Sequence, residues 1–190
     1  MSAIKGVVLF PGAGSSSTHS SLIAMENALA PLPVARIDFP YRKAGKSFPD
    51  KAPVLVQCVK DEVRAFAEQL GVKTSDLVIG GRSMGGRMCS MAIADENDAL
   101  EVAGLVLVSY PLHPPKKPDK LRIEHLPQLN VQTLCISGTR DEFGTPEELT
   151  HAFSVVPASV QWQWIENARH ELARKDEVVA EIAAQWITAL

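Results

Sequence analysis

A three-layer α/β/α fold, with helices covering both faces of a mainly parallel sheet of about six strands, is what this sequence predicts. Three observations carry the prediction. Strand-like and helix-like segments alternate along the chain, the pattern of parallel strands joined by crossover helices. The strand-like runs are almost continuously apolar, GLVLVSY at 104–110 most of all, as strands buried on both faces must be. The length of 190 residues, 46% hydrophobic and 22% charged, suits one ordinary globular domain spanning residues 1–190.

The elements follow in order. GVVLF at 6–10 is a β-branched run stopped by Pro11-Gly12. Leu22, Ala24, Ala28 and Leu29 give the next stretch a helical stripe. VARIDF at 34–39 reads as a strand ended by Pro40. Residues 54–70 form the clearest helix: Leu55, Val59, Val63, Phe66 and Leu70 recur at spacings of four and three, and Gly71 follows as the cap. DLVIGG is a strand and GRMCSMAIA a helix. After GLVLVSY, the segment 110–129 carries five prolines and cannot be a regular helix through Pro111 to Pro118. It is an ordered loop, serving either as a minimal lid or as a plain connector. TLCISG and VQWQWI complete the strands, and a helix at 176–190 lines up Val179, Ile182, Ala183, Trp186 and Ile187.

Composition removes several function classes. A net charge of −3 supplies neither a basic stripe for nucleic acid nor an acidic tail. No apolar run approaches the ~20 residues of a membrane span, and MSAIKGVVLF lacks the apolar core and cleavage site of a secretory leader. Cys58, Cys89 and Cys135 lie far apart with no C-x-x-C, so they read as small core residues in a reducing, cytoplasmic setting. The expected partner is a small-molecule substrate, with no nucleic acid, no membrane, no cofactor and no metal. The sequence leaves the oligomeric state open.

Chemistry enters at VIGGRSMGGRM. Gly81-Arg82-Ser83-Met84-Gly85 is a G-x-S-x-G set between a strand and a helix, the context that makes such a pattern a nucleophile elbow. A serine on a sharp turn projects beyond the sheet, and side chains at 81 and 85 would collide with neighbouring elements. The bland alternative is a tight turn whose serine only caps the following helix. A serine hydroxyl needs a base, and the base needs a carboxylate to fix its tautomer.

Parallel sheets place sites at the carboxyl ends of strands. Of the five histidines, His170 lies just past VQWQWI. Asp141 lies three residues past Gly138, with Glu142 as second choice. Taken individually, His170 could be a helix-capping loop residue and Asp141 a turn aspartate. Their agreement with Ser83 on one rim of the sheet carries more weight than the motif.

An oxyanion site would use the Met84 N–H and a second N–H from the loop after the first strand, Ala13 or alternatively Gly14. Gly12, Gly14 and Arg82 are the expected substrate-binding residues. Arg82 and Arg87 flank the elbow, where they either favour an acidic substrate or serve as surface or ion-paired groups. Gly12-x-Gly14 is a partial dinucleotide fingerprint, but Ser17 stands where its third glycine belongs and no G-K-[ST] exists.

These residues resemble the α/β-hydrolase fold over nearly the whole chain. GGRSMGGR, SYPLHPPKKPDKLRIEHL and SGTRDEFGTPEEL are similar to a compact branch related to dienelactone hydrolases, which includes bacterial proteins, a testis-expressed protein and a subunit of a nuclear histone-acetyltransferase complex. The resemblance implies Ser83 as nucleophile, Asp141 as acid and His170 as base, acting on a small ester or thioester. The sequence departs from that pattern in two ways, which make the expected fold a minimal one: it reads directly into GVVLF without the antiparallel strands that often come first, and the short proline loop stands in place of the usual lid domain. The resemblance also implies a rival from another class, a non-catalytic interaction module that retains the fold. A peptidase on the same fold finds no peptide-binding segment in the sequence.

Overall fold

The computed structural model of the chain describes residues 4–114 and 116–190; residues 1–3 of the opening stretch and Pro115 of the proline segment lie outside the described residues. Six parallel strands form one sheet in the order β2-β1-β3-β4-β5-β6. They are β1 Gly6–Phe10, β2 Val34–Arg36, β3 Leu77–Arg82, β4 Gly104–Val108, β5 Thr133–Gly138 and β6 Val160–Ile165. Alternate residues of each strand face opposite ways, and two cores result. Val8, Phe10, Ile79, Leu105, Leu107 and Cys135 face one core. Helices α3 Ala52–Leu70, α4 Met84–Ile93 and α5 Pro146–Phe153 cover it. Val7, Leu9, Val78, Val106, Leu134 and Ile136 face the other, beneath α1 Ser20–Leu29 and α6 Asp176–Thr188. The three-layer α/β/α architecture is therefore the one expected.

Strand order reverses at β1, which has β2 on one side and β3 on the other. The loops leaving β1 and β3 therefore diverge and open a crevice above the strand ends, the usual ligand site of such sheets.

Two strands end earlier than the sequence expectation, each for a local reason. β2 stops at Arg36 instead of 39. The Asp38 carboxylate turns away to accept the Ser17 N–H at 2.7 Å and hydroxyl at 3.0 Å. Pro40 then starts a short helix, α2 Pro40–Lys43, at the one helical position where its missing N–H costs nothing. β4 ends at Val108 because Ser109 adopts a left-handed backbone, φ 53°. Ala28 is exposed, and Met25 takes its place in the buried stripe of α1. Gly71 caps α3 at φ 68°, as expected. All three cysteines are free and buried. No helix among the described residues is long and apolar enough to cross a membrane.

The described residues of the proline segment after β4 form a loop with a short 3-10 turn at Leu126–Gln128. Several hydrogen bonds fasten it, among them the His113 N–H donating to the Phe143 carbonyl at 3.2 Å. The Tyr110 hydroxyl donates to the Arg122 carbonyl at 2.6 Å. The Ser90 hydroxyl donates to the Arg87 carbonyl at 2.8 Å, so at 2.8 Å from His125 Nε2 it accepts from that nitrogen. Burial, aided by the Arg87 charge, pushes the His125 imidazole down to about 4.

That displacement makes this histidine a source of acid sensitivity. Its folded value lies below the usual 6.5, so the unfolded chain takes up the proton first as pH falls. Stability is unaffected by this group above pH 6.5 and is lost between about 6.5 and about 4, by up to about 3 kcal/mol. Urea unfolding at pH 7 and pH 4.5 should show a smaller acid loss for His125→Gln than for the wild type, with the carboxylates common to both. Equal losses would remove His125 from the account.

Candidate active site

Ser83 directly follows β3 and precedes the first residue of α4, with its backbone at φ 51° and ψ −117°. Non-glycine residues seldom take up a positive φ. Here the surroundings enforce it. A Cβ on Gly81 would lie 2.5 Å from the Phe10 carbonyl oxygen and 2.8 Å from the Gly85 carbonyl carbon. A Cβ on Gly85 would lie 2.6 Å from the Pro11 carbonyl oxygen and would strike that of Phe10 as well. Strand β3, the start of α4 and the end of β1 thus meet with backbone against backbone. The Ser83 N–H donates to the Val108 carbonyl at 2.8 Å, tying the elbow to β4.

The Asp141 side chain, on the loop after β5, is fully buried. Its Oδ1 accepts the Phe143 N–H at 2.8 Å. His170 follows β6, and its Nδ1 lies 3.0 and 2.9 Å from Asp141 Oδ1 and Oδ2. Its Nε2 lies 2.8 Å from Ser83 Oγ. An ionised carboxylate only accepts, so Nδ1 carries the imidazole proton. Nε2 is then an acceptor, and the Ser83 hydroxyl donates to it. Ser83, Asp141 and His170, separated by up to 87 residues, form one unbroken hydrogen-bonded chain. Glu142, the second-choice acid, accepts the His170 main-chain N–H at 3.4 Å instead.

Several residues that sequence reasoning missed hold His170. The Ser109 hydroxyl donates to its carbonyl at 2.9 Å. The Phe143 ring stacks on the imidazole, centroids 4.0 Å apart. Leu172, itself at φ 46°, is buried in the core beneath α1 and α6 and anchors the loop. Ser109 was hidden inside GLVLVSY, read as one strand, and Phe143 carried no signal.

A cavity of about 370 Å³ opens over Ser83. Gly12, Ala13, Met84 and Arg82 all line it with Ser83 and His170. Met84 is the first residue of α4, so its N–H has no acceptor within the helix. Gly14, expected among the substrate contacts, lies outside this lining, and its N–H donates to the Tyr41 hydroxyl at 3.2 Å. Of the two candidates for the second N–H, Ala13 is therefore the one left at the cavity. The loop that carries it is tethered by the Ser17–Asp38 pair and by an Arg36 guanidinium bond to the Ser17 carbonyl.

Arg82 also departs from its expected part. Its Nη2 donates to Glu171 Oε2 at 2.8 Å and to the His170 carbonyl at 3.3 Å, so the guanidinium is committed to bracing the histidine loop. The hydrogen bond from Arg82, helped by its charge, holds the Glu171 carboxyl below the usual range. The other histidines lie elsewhere: His19 caps α1, His151 sits exposed on α5, and His113 packs toward Glu148.

A family model described as an alpha/beta hydrolase domain matches residues 4–189. Among solved structures, the chain is similar to a dienelactone hydrolase from Anabaena variabilis, at 21% identity and a TM-score of 0.71, over 97% of this chain and 86% of that one. A monoacylglycerol lipase from Paleococcus ferrophilus matches at 15% identity and a TM-score of 0.72, over 98% and 95% of the two chains. Est1E from Butyrivibrio proteoclasticus matches at 16% identity and a TM-score of 0.73, over 98% and 88%. At such identities the likeness speaks for the fold.

The close approach at the elbow can be probed directly. Gly85→Ala should lower stability by roughly 1–3 kcal/mol or more, as overpacking against rigid backbone does. Gly14→Ala, at a loop φ of 72° with open space around its Cα, should cost less. Urea midpoints of the two variants give the comparison, and an elbow variant as stable as the wild type would contradict the packing described.

Proposed function

The chain belongs to the alpha/beta hydrolase domain family, and from that premise we propose that it is a serine hydrolase cleaving a small ester or thioester through an acyl-enzyme. The observation that carries the reading is the continuous contact from Ser83 Oγ through the His170 ring to the buried Asp141 carboxylate. The names borne by similar structures, a dienelactone hydrolase and a monoacylglycerol lipase, agree with it. Within the family, the motifs around Ser83, Asp141 and the proline loop favour the compact dienelactone-hydrolase-related branch. Three unpaired, buried cysteines favour a cytoplasmic setting.

The reaction runs as follows. Ser83 Oγ attacks the substrate carbonyl carbon while its proton passes to His170 Nε2. The imidazolium is stabilised by Asp141, which keeps its negative charge. The carbonyl oxygen becomes an oxyanion facing the N–H groups of Met84 and Ala13, and the start of α4 adds its partial positive charge. Collapse breaks the bond to the alcohol or thiol, which leaves with the proton from His170. Water then repeats the sequence: it attacks the acyl carbon, gives its proton to His170, and Ser83 recovers that proton as the acid departs. Because the Ser83 hydroxyl already donates to Nε2, the first proton transfer needs no rearrangement of the site.

A fluorophosphonate probe should label Ser83, and Ser83→Ala should abolish both labelling and p-nitrophenyl acetate hydrolysis. Asp141→Asn should keep the fold while lowering kcat by about 10³–10⁴-fold, because the histidine loses the partner that fixes its tautomer. A folded wild-type protein that is neither labelled nor active would sink the reading and leave the interaction module as the better account.

A further inference from the structure

The cavity over Ser83 holds two guanidinium groups for which acyl transfer has no use. Arg87 lies on α4, one turn beyond the serine, and its N–H donates to the Ser83 carbonyl at 3.1 Å. Arg122 enters from the proline loop, where its Nη1 donates to the Pro111 carbonyl at 3.2 Å and its N–H to the Leu112 carbonyl at 2.9 Å. Both line the cavity. Among the described residues neither forms an ion pair, in contrast to Arg82. Arg87 Nε is buried with no hydrogen-bond partner.

Burial, followed by the Arg87 charge, pushes the Arg122 guanidinium down from its usual value, so the two cations feel each other. The nearby carboxylates do not resolve this. Glu171 is committed to Arg82, and Asp50 lines the cavity outside ion-pair distance of any arginine. Two like charges held against one half-buried wall, one with an unsatisfied buried donor, are costly to keep unless something arrives to neutralise them. Planar guanidinium groups match a carboxylate or a phosphate through paired hydrogen bonds.

We propose that Arg87 and Arg122 form an anion subsite, and that the ester or thioester cleaved at Ser83 carries a carboxylate or phosphate on the part lodged in the cavity. The word ester rests on the serine-hydrolase reading; the binding of an anion does not. A cavity of about 370 Å³ suits a compact substrate rather than a long acyl chain.

The test compares p-nitrophenyl hexanoate with mono-p-nitrophenyl adipate and the p-nitrophenyl ester of 5-phosphonopentanoate. The wild type should favour one of the two anionic esters in kcat/KM by about tenfold or more, mostly through KM. Arg122→Gln should bring that ratio close to one, and Arg122→Lys should keep part of it. The better anionic ester says which anion the site takes. In parallel, calorimetry on the Ser83→Ala protein should detect binding of adipate or inorganic phosphate, weakened about tenfold or more by adding Arg122→Gln.

The outcomes separate the two claims. Turnover of the neutral ester as fast as the anionic ones, with no calorimetric binding, overturns the anion subsite and leaves the hydrolase reading standing. Anion binding that depends on Arg122, with no turnover of any ester and no labelling of Ser83, does the reverse. Failure of all three overturns both.

Discussion

The contact on which the rest of the molecule depends is the one between the elbow and the end of β1. With only hydrogen at positions 81 and 85, the carbonyls of Phe10 and Pro11 can lie where a side chain would otherwise be. That proximity fixes two things together. It holds Ser83 at a positive φ with its hydroxyl above the sheet, and it brings the loop carrying Ala13 beside the start of α4. In the proposed mechanism, nucleophile and oxyanion donors are thereby set by one backbone approach. Their relative position does not rely on flexible side chains, and it is preorganised before any substrate enters.

The histidine is placed by a different device. Its loop after β6 includes Asn167, Leu172 and Arg174 at positive φ, a backbone that would not hold this shape by local preference. It is over-determined from outside instead. Ser109 and Arg82 donate to the His170 carbonyl, the Glu142 carboxylate accepts its N–H, and Phe143 covers one face of the ring. The four clamps come from three strand ends, those of β3, β4 and β5. His170, the proposed base, is therefore positioned by the sheet, and only secondarily by its own segment. Arg82 shows how a charged group can serve structure inside a site: with its charge opposed by Glu171, it braces the loop and is not left facing a substrate.

Much of this was legible in the sequence, and the reason is the same throughout: wherever a short-range rule decides, the sequence shows it. Glycines around a serine between strand and helix, a polar residue just past an apolar strand, and an αL glycine after a helical stripe are all local signatures. What stayed hidden is set by partners far along the chain. Glu171 lies 89 residues from Arg82, and the Ser109–His170 bond spans 61. Nothing near Arg82 and Arg87 distinguishes them, both being arginines beside the elbow. Only the fold decides that one meets a carboxylate and the other does not. Tyr41 is a similar case: its hydroxyl engages the Gly14 N–H across 27 residues and so leaves Ala13 as the candidate N–H at the cavity. The early end of β4 was missed because the apolar pattern continues through Tyr110 while the backbone turns at Ser109.

That difference between arginines bears on how so small a fold could choose a substrate. Among the described residues no cap domain covers the cavity, and the proline loop is its only approach to a lid. In an open cavity of modest size, one methylene more or less would be weakly discriminated. Charge is the stronger means available to it. A pair of guanidinium groups on a partly desolvated wall discriminates by whether they are satisfied or left facing each other, a larger difference than contact area alone could supply. Arg122 sits on the proline loop and Arg87 on the helix that begins at the nucleophile, so an anion bridging them would also draw that loop toward the elbow. Selection and closure would then be one event, driven by the same charge.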